Sequence, residues 1–496
     1  MLPTVFSNLC PGKKQQADAL GFAFLRVFYS GVLLLELRQL FLFETLIFPG
    51  GILPPVLLKV LLVAWGMVLC FLMAGWLTRP AAVANYLIGV VLVWAMPHFR
   101  YPFDYLLISV NFLLIWLPVS ATFSLDADWQ KRKTGLAVPE QVSGSWVYLV
   151  AILPLGLVYL DAVFYQFTAP MWTSGLGFWL PASLPQHAQT DLTWILNQQG
   201  LVQAIGYGMM IFECAFLLLI WFPRLRLLLV GGGLLLHAGT GVAFPLPHYS
   251  LAMMVLYLPL LPAGFWQALR RAWRGFIGGA GRRYPAAAAP AAVLLAASKK
   301  AGWLTAFLLY CCLGQLLCLS LTPLFQKAAG KLGLQEELAT LQGVFKPVFF
   351  FNQTLLGLVP HEIFPDEHFR GPYHQLVSLW YVAPRGLLVP LPLLDQQGRP
   401  AAWCAGRIYT HWVYCVTGPG AGRRQLAEGL KSFTAFWIKQ QPLSRDNATF
   451  RVVVKEVAGP RGWQPNHLKK QMRQPWQAAG TVRWQGGRCY LELPGL

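Results

Sequence analysis

The sequence predicts an all-α polytopic membrane bundle of about nine transmembrane helices, followed by a small α+β extracytoplasmic domain. Two observations predict the bundle. Of 496 residues, 56% are hydrophobic and 12% charged, against about 25% charged in an ordinary soluble domain. Apolar runs of roughly eighteen residues or more, long enough to cross a ~30 Å hydrocarbon core, recur along the first two thirds of the chain. A third observation predicts the appended domain: beyond residue 325 the pattern changes to short alternating runs separated by Gly, Pro and Asp.

The elements follow in order. Residues 1–19 form a cytoplasmic segment; "MLPTVFSNLCPGKKQQADA" lacks the apolar core of a cleavable signal, and Cys10 lacks the apolar lead-in of a lipoprotein site. The bundle occupies 20–267, with spans near 20–46, 55–76, 81–97, 104–120, 145–165, 203–222, 226–244 and 249–267. A basic cytoplasmic loop covers 268–302 and the last span 303–325. In that loop "WQALRRAWRGF" mixes Trp266, Trp273 and Phe276 with arginines, as a helix lying on an anionic leaflet would, and "YPAAAAPAAVLLAASKK" reads as a linker.

Charge placement sets the expected orientation. The net charge is +19, which on a soluble chain would suggest nucleic acid. With the N-terminus inside, the inner connections hold fifteen Lys and Arg and the outer ones hold one, Arg100. Inward-biased basic residues on a plasma (inner) membrane protein account for the charge without nucleic acid. Residues 326–496 are then periplasmic or extracellular.

In that outer region "LGLQEELATLQGVF" and "RRQLAEGLKSFTAFWIKQ" have helical spacing. Strands are expected in "HQLVSLWYVA", "GLLVPLPLLDQQGRPAAWCAGRIYTHWVYCVTG" and "TFRVVVKEV", and a hairpin in "GTVRWQGGRCYLELP" turning at Gly486–Gly487. Cys404, Cys415 and Cys489 allow at most one disulfide. The stretch "HEIFPDEHFRGPYH" brings His361, Glu362, Asp366, Glu367, His368 and His374 together, but without the HExxH spacing that puts two ligands on one helical face; no metal is assigned.

The residues that ask for a function are polar ones in apolar surroundings. Glu213 and His237 lie eleven residues before and thirteen after Arg224, at the turn between two spans. At ~1.5 Å per residue both sit about 16–20 Å from that turn, so a hairpin allows them to pair. Lone charges at that depth cost several kcal/mol or more. A functional site and an interhelical clamp are both open readings. Asp104 and Arg26 have no opposite charge at helical spacing and call for partners on other helices, and Gln166 lies at the outer end of the fifth span. Gly231, Gly232 and Gly233 permit close packing or a flat ligand.

The order of several stretches resembles the HTTM domain, the membrane domain shared by the vitamin K-dependent gamma-carboxylase and many bacterial proteins. The resemblance covers roughly residues 20–265. "FAFLRVFYSGVLLLEL" is similar to its first span. Asp104 with Ser124, Leu125 and Asp126, then Trp172 with Gly175, and finally "FECAFLL" and "LLLHAGTGVAFPLPHYSLAMMV" follow in the family's order. The resemblance implies that Glu213 and His237 are the family's intramembrane Glu and His, facing a quinone or lipid. Where the carboxylase carries its catalytic lysine, this chain has Gln166 and Phe167, and no lysine occurs from 134 to 298. Neither side chain serves as a desolvated amine base, so the resemblance implies the site without that carboxylation chemistry.

The expected function is an integral membrane protein holding a hydrophobic ligand, quinone or lipid, or a partner, through Glu213, His237, Asp104, Arg26 and Gln166, with no cofactor assigned. The alternative is a non-catalytic accessory or structural subunit of a membrane complex that docks partner membrane subunits through residues 326–496. Acid–base catalysis by Glu213 and His237 lacks a nucleophile beside it. A transporter lacks inverted repeats and paired broken helices.

Overall fold

A computed structural model describes residues 16–49, 53–136, 138–276, 306–359, 369, 373–441 and 447–495, without the side chains of 274–276. Among the described residues six helices are long and apolar enough to cross a membrane: α1 (Ala19–Leu42), α2 (Pro55–Ala74), α3 (Thr78–Ala95), α5 (Ser145–Gln166), α6 (Gln199–Leu219) and α7 (Pro223–Ala243). Between α3 and α5, α4 (Pro102–Trp116) is apolar but shorter. Two expected straight spans are instead bent. α8 (Pro247–Leu260) turns by 96° into α9 (Ala263–Phe276), and α10 (Ala306–Leu319) turns by 67° into α11 (Pro323–Leu332). Pro262 and Pro323 sit at the breaks, where a ring in place of the N–H ends the helical ladder. Counting each bent pair as one span gives eight candidates among the described residues.

Helix ends follow local chemistry. Pro55 opens α2 and Gly75, at φ +70°, closes it in the left-handed conformation that glycine adopts without strain. The start of α3 is capped from a distance: Asp126 accepts the Leu77 and Thr78 N–H groups at 2.9 and 2.8 Å. Asp104 accepts the Tyr101 N–H at 2.9 Å at the head of α4. α5 contains a π-helical turn, Ala151–Gly156, around Pro154. Consecutive helices pack in pairs: α1 on α2, α3 on α4, α5 on α6 and α7 on α8.

At one end of the bundle the strands β1 (Gln16–Asp18) and β2 (Gln141–Ser143) pair antiparallel, and Asp18 forms an ion pair with Arg270 of α9. Trp266 of α9 is buried against Phe24 with ring centres 5.4 Å apart. The right-angle turn into α9 and its mix of Trp and Arg suit a helix lying along a membrane surface. The linker 284–300 lies outside the described residues.

The region after α11 begins with the helix α12 (Gln335–Phe351). It continues into a five-stranded antiparallel sheet ordered β4 (Leu388–Pro390), β3 (Tyr373–Val382), β5 (Asn447–Ala458), β6 (Gln477–Gln485), β7 (Arg488–Glu492). The β6–β7 hairpin turns at Gly486 and Gly487, both at positive φ, as two-residue turns require. The helix α14 (Arg423–Gln440) covers the sheet, with Phe433, Phe436 and Trp437 buried beneath it. The strand signals expected across 386–418 are largely not realised as strand. Only Leu388–Pro390 is strand, whereas α13 (Gly406–Thr410) runs into a π-helical turn at His411–Val416. Its β-branched and aromatic residues are buried in the core as helix, so packing overrides strand propensity there. Cys404, Cys415 and Cys489 are free thiols.

The C-terminal sheet is not an appendage. Arg407, Gln39 and Gly406 tie it to the bundle: Gln39 donates to Ala405 O at 2.8 Å, and Gly406 N–H donates to Pro245 O at 2.7 Å.

Candidate intramembrane polar site

Glu213 and His237 do not pair. The Glu213 carboxylate accepts the Gln166 amide N–H at 2.7 Å. His237 Nε2 lies 2.6 Å from the Tyr159 hydroxyl, which lies 2.5 Å from the hydroxyl of Tyr257. The depth argument placed both side chains on adjacent helices at similar levels, and both are buried, at 6% and 2% exposure. It could not say what else reaches that level. α5 supplies Gln166 and Tyr159, and α8 supplies Tyr257, and these satisfy the two groups separately.

The two still face a common space. A cavity of about 40 Å³ is lined by Glu213, Gln166, His237, Tyr159 and Tyr249 on its polar side and by Trp172, Phe178 and Phe244 on its apolar side. That volume holds a few water molecules. Met209 of α6 and Leu236 and Thr240 of α7 also line it and are partly exposed, so the cavity approaches the outer surface between those two helices. His237 Nδ1 and Gln166 Oε1 are buried there without a hydrogen-bond partner. In a protein interior such atoms usually find a partner or an ordered water.

Local packing explains the arrangement. A Cβ on Gly233 would collide with the Tyr257 ring, and one on Gly232 would press on Phe212 at 2.9 Å. The glycine run therefore serves close packing, and Gly233 admits the tyrosine that completes the His237 chain. Gly175, at φ +79°, closes the turn after Trp172, and Gly206 of α6 packs directly on its carbonyl. This turn holds the Trp172 ring against the cavity.

Arg26 and Asp104, expected beside Glu213, lie elsewhere. Arg26 donates to Val119 O and Phe123 O at 3.1 and 2.6 Å, holding the loop after α4. Asp104 binds Arg407, as does Glu36. His248 Nδ1 is 2.9 Å from Glu36. This buried ionic cluster joins the bundle to the C-terminal sheet domain. Sequence reasoning missed Arg407 because it is one of many arginines after residue 325; the signal was the need of Asp104 for a partner on another element.

Residues 361–368 of the acidic and histidine-rich stretch lie outside the described residues. His374 is described, and no group of three metal-ligating side chains occurs among the described residues.

A search against protein-family models, curated proteins and solved structures found no match for this chain.

Proposed function

We propose that this protein binds the polar head of a hydrophobic ligand, a quinone or a lipid, at the Glu213–Gln166 and His237–Tyr159 site, in a multi-pass inner membrane protein whose sheet domain faces the periplasm or exterior. The observation that carries the reading is the cavity shared by a buried carboxylate and an unpartnered imidazole nitrogen, close to the exposed faces of α6 and α7. A carbonyl or hydroxyl head offers these groups hydrogen bonds that protein atoms leave open. A ring larger than a few waters enters only as side chains at the mouth, Met209 and Leu236, swing outward.

The test is extraction of the full-length protein in mild detergent, followed by mass spectrometry of the non-protein molecules it retains. A quinone or lipid retained by the wild type and lost in Glu213→Gln and His237→Phe is expected. Equal retention by all three proteins, or none by any, rejects the site.

A second reading, an accessory subunit docking partners through its outer domain, is favoured by one observation: an open strand edge on that domain. Orientation is tested with Arg451→Cys on β5 in a chain whose exposed Cys70, Cys214 and Cys415 are replaced by alanine, with that chain lacking Arg451→Cys as the labelling control. Labelling by a membrane-impermeant maleimide in intact cells is expected, and labelling only after lysis places the sheet on the cytoplasmic side.

A further inference from the structure

Strand β3 is paired on both sides for only part of its length. β5 accompanies it from Tyr373 to Tyr381, but β4 reaches only Trp380–Val382. In an antiparallel ladder the main-chain groups of alternate residues point away from the partner strand. The phase is fixed at Leu379, whose carbonyl accepts the Leu391 N–H on the β4 side at 2.7 Å. At the other end Ala458, opposite Tyr373, donates to Gln471 and so also faces away from β3. Tyr373, Gln375 and Val377 therefore present their main chain at the open edge. Val377 O takes the Trp412 indole N–H at 3.2 Å. The Gln375 and Val377 N–H groups and the Gln375 carbonyl have no partner among the described residues.

This edge forms a wall of a cavity of about 530 Å³, shared with Gln186, Trp412 and Pro419. Ligand sites typically enclose about 300–1,000 Å³. Two side chains lining it are more than nine-tenths buried and incompletely bonded: His374 at Nε2 and Gln186 at Oε1. The His374 ring bonds the Phe369 backbone through its other nitrogen. A neutral ring donating there keeps a lone pair on Nε2. Both open atoms are thus acceptors.

We propose that the groove receives an extended peptide of a partner protein, added as a strand beside β3, with a short donor side chain (Ser, Thr or Asn) facing His374 and Gln186. Only an extended chain offers N–H and C=O groups at the spacing of Gln375 and Val377. A small hydroxylated ligand would meet the two acceptors and leave the edge amides open. The inference is independent of the intramembrane ligand site.

The test uses the full-length protein in detergent micelles and acetylated, amidated heptapeptides alternating Val with Thr, alternating Val with Ala, and alternating Val with Thr but N-methylated at every second amide. Hydrogen exchange is followed at Gln375 and Val377. Both amides exchange rapidly without peptide and become protected by the Val/Thr peptide. The Val/Ala peptide binds about tenfold more weakly, the equivalent of one hydrogen bond, and the N-methylated peptide does not protect. Gln375→Pro removes only an outward N–H and leaves the β5 ladder intact; it abolishes the protection of Val377, while Glu213→Gln does not change it. Protection of the edge amides without any peptide, no protection by millimolar peptide, or equal binding to Gln375→Pro overturns the proposal.

Discussion

The guanidinium of Arg407, carried by the C-terminal domain, sits between Glu36 of α1 and Asp104 of α4, with Nη2 2.7 Å from one carboxylate and 2.6 Å from the other. All three side chains are fully buried. Burial alone would lower the arginine pKa; the carboxylates of Asp104 and Glu36 more than reverse this and hold it above its ordinary value. Phe99 O accepts a further hydrogen bond at 2.8 Å. The cluster is the electrostatic joint between sheet and bundle.

Arg407→Met is therefore expected to leave two buried carboxylates without the guanidinium they share, at a cost of about 3–5 kcal/mol. The C-terminal domain should become sensitive to protease at lower temperature than in the wild type. Arg407→Lys keeps the charge but loses the fork that reaches both acids, and should fall between. Thermal unfolding with limited proteolysis reads both. A methionine variant as resistant as the wild type would remove the joint from the account.

Tyr159 is the hub of the intramembrane chain, touching His237 and Tyr257 through one oxygen. Tyr159→Phe keeps the ring and deletes that oxygen, leaving two buried polar groups without their shared partner. A loss of about 1–3 kcal/mol is expected. Equilibrium unfolding in mixed micelles measures it, and an unchanged midpoint contradicts the hydrogen-bonded chain.

How far these sites could be read from sequence depends on what kind of signal each leaves. Apolar run length predicted the six long helices because crossing a hydrocarbon layer imposes a length on each segment by itself. The period-two patterns of β3 and β5 and the Gly486–Gly487 turn were equally local. The burial of Glu213 and His237 was legible for the same reason. Their partners were not, because Gln166, Tyr159 and Tyr257 arrive from helices whose rotation no single-span pattern fixes. The 406–416 stretch was misread because its alternating aromatic and β-branched residues fit a strand as well as a fully buried helix, and only tertiary packing separates the two. The bends at Pro262 and Pro323 had a visible cause in the prolines, but run length alone passed over it.

The glycine run of α7 separates packing from mere permissiveness. Gly233→Ala places a methyl against the Tyr257 ring, which is held by its bond to Tyr159. Overpacking of about 1–3 kcal/mol is expected. Gly231 and Gly239 have nothing within 4 Å of a built Cβ, so alanine there is expected to be neutral or to stabilise the helix by up to about 1 kcal/mol. Parallel thermal melts of the three variants check this, and a neutral Gly233→Ala would mean that Tyr257 is not fixed as described.

Acid should loosen the C-terminal domain that carries His411. Burial lowers the His411 pKa to about 4 from 6.5, although its hydrogen bond to the His98 carbonyl, 2.7 Å long, works in the opposite direction. Burial also lowers His374 and His467. A histidine with a depressed folded pKa is neutral in the native state while the unfolded chain takes up its proton. Between pH about 6.5 and about 4 the unfolded state therefore binds more protons, and stability falls as pH falls through that window. Above it the contribution is fully present. Tryptophan fluorescence melts at pH 7.5, 6, 5 and 4 should show a progressive drop in the midpoint of the C-terminal domain, shallower in His411→Asn, which can still donate to His98 O but does not titrate. An equally steep drop in His411→Asn would assign the acid sensitivity to other groups and remove His411 from the explanation.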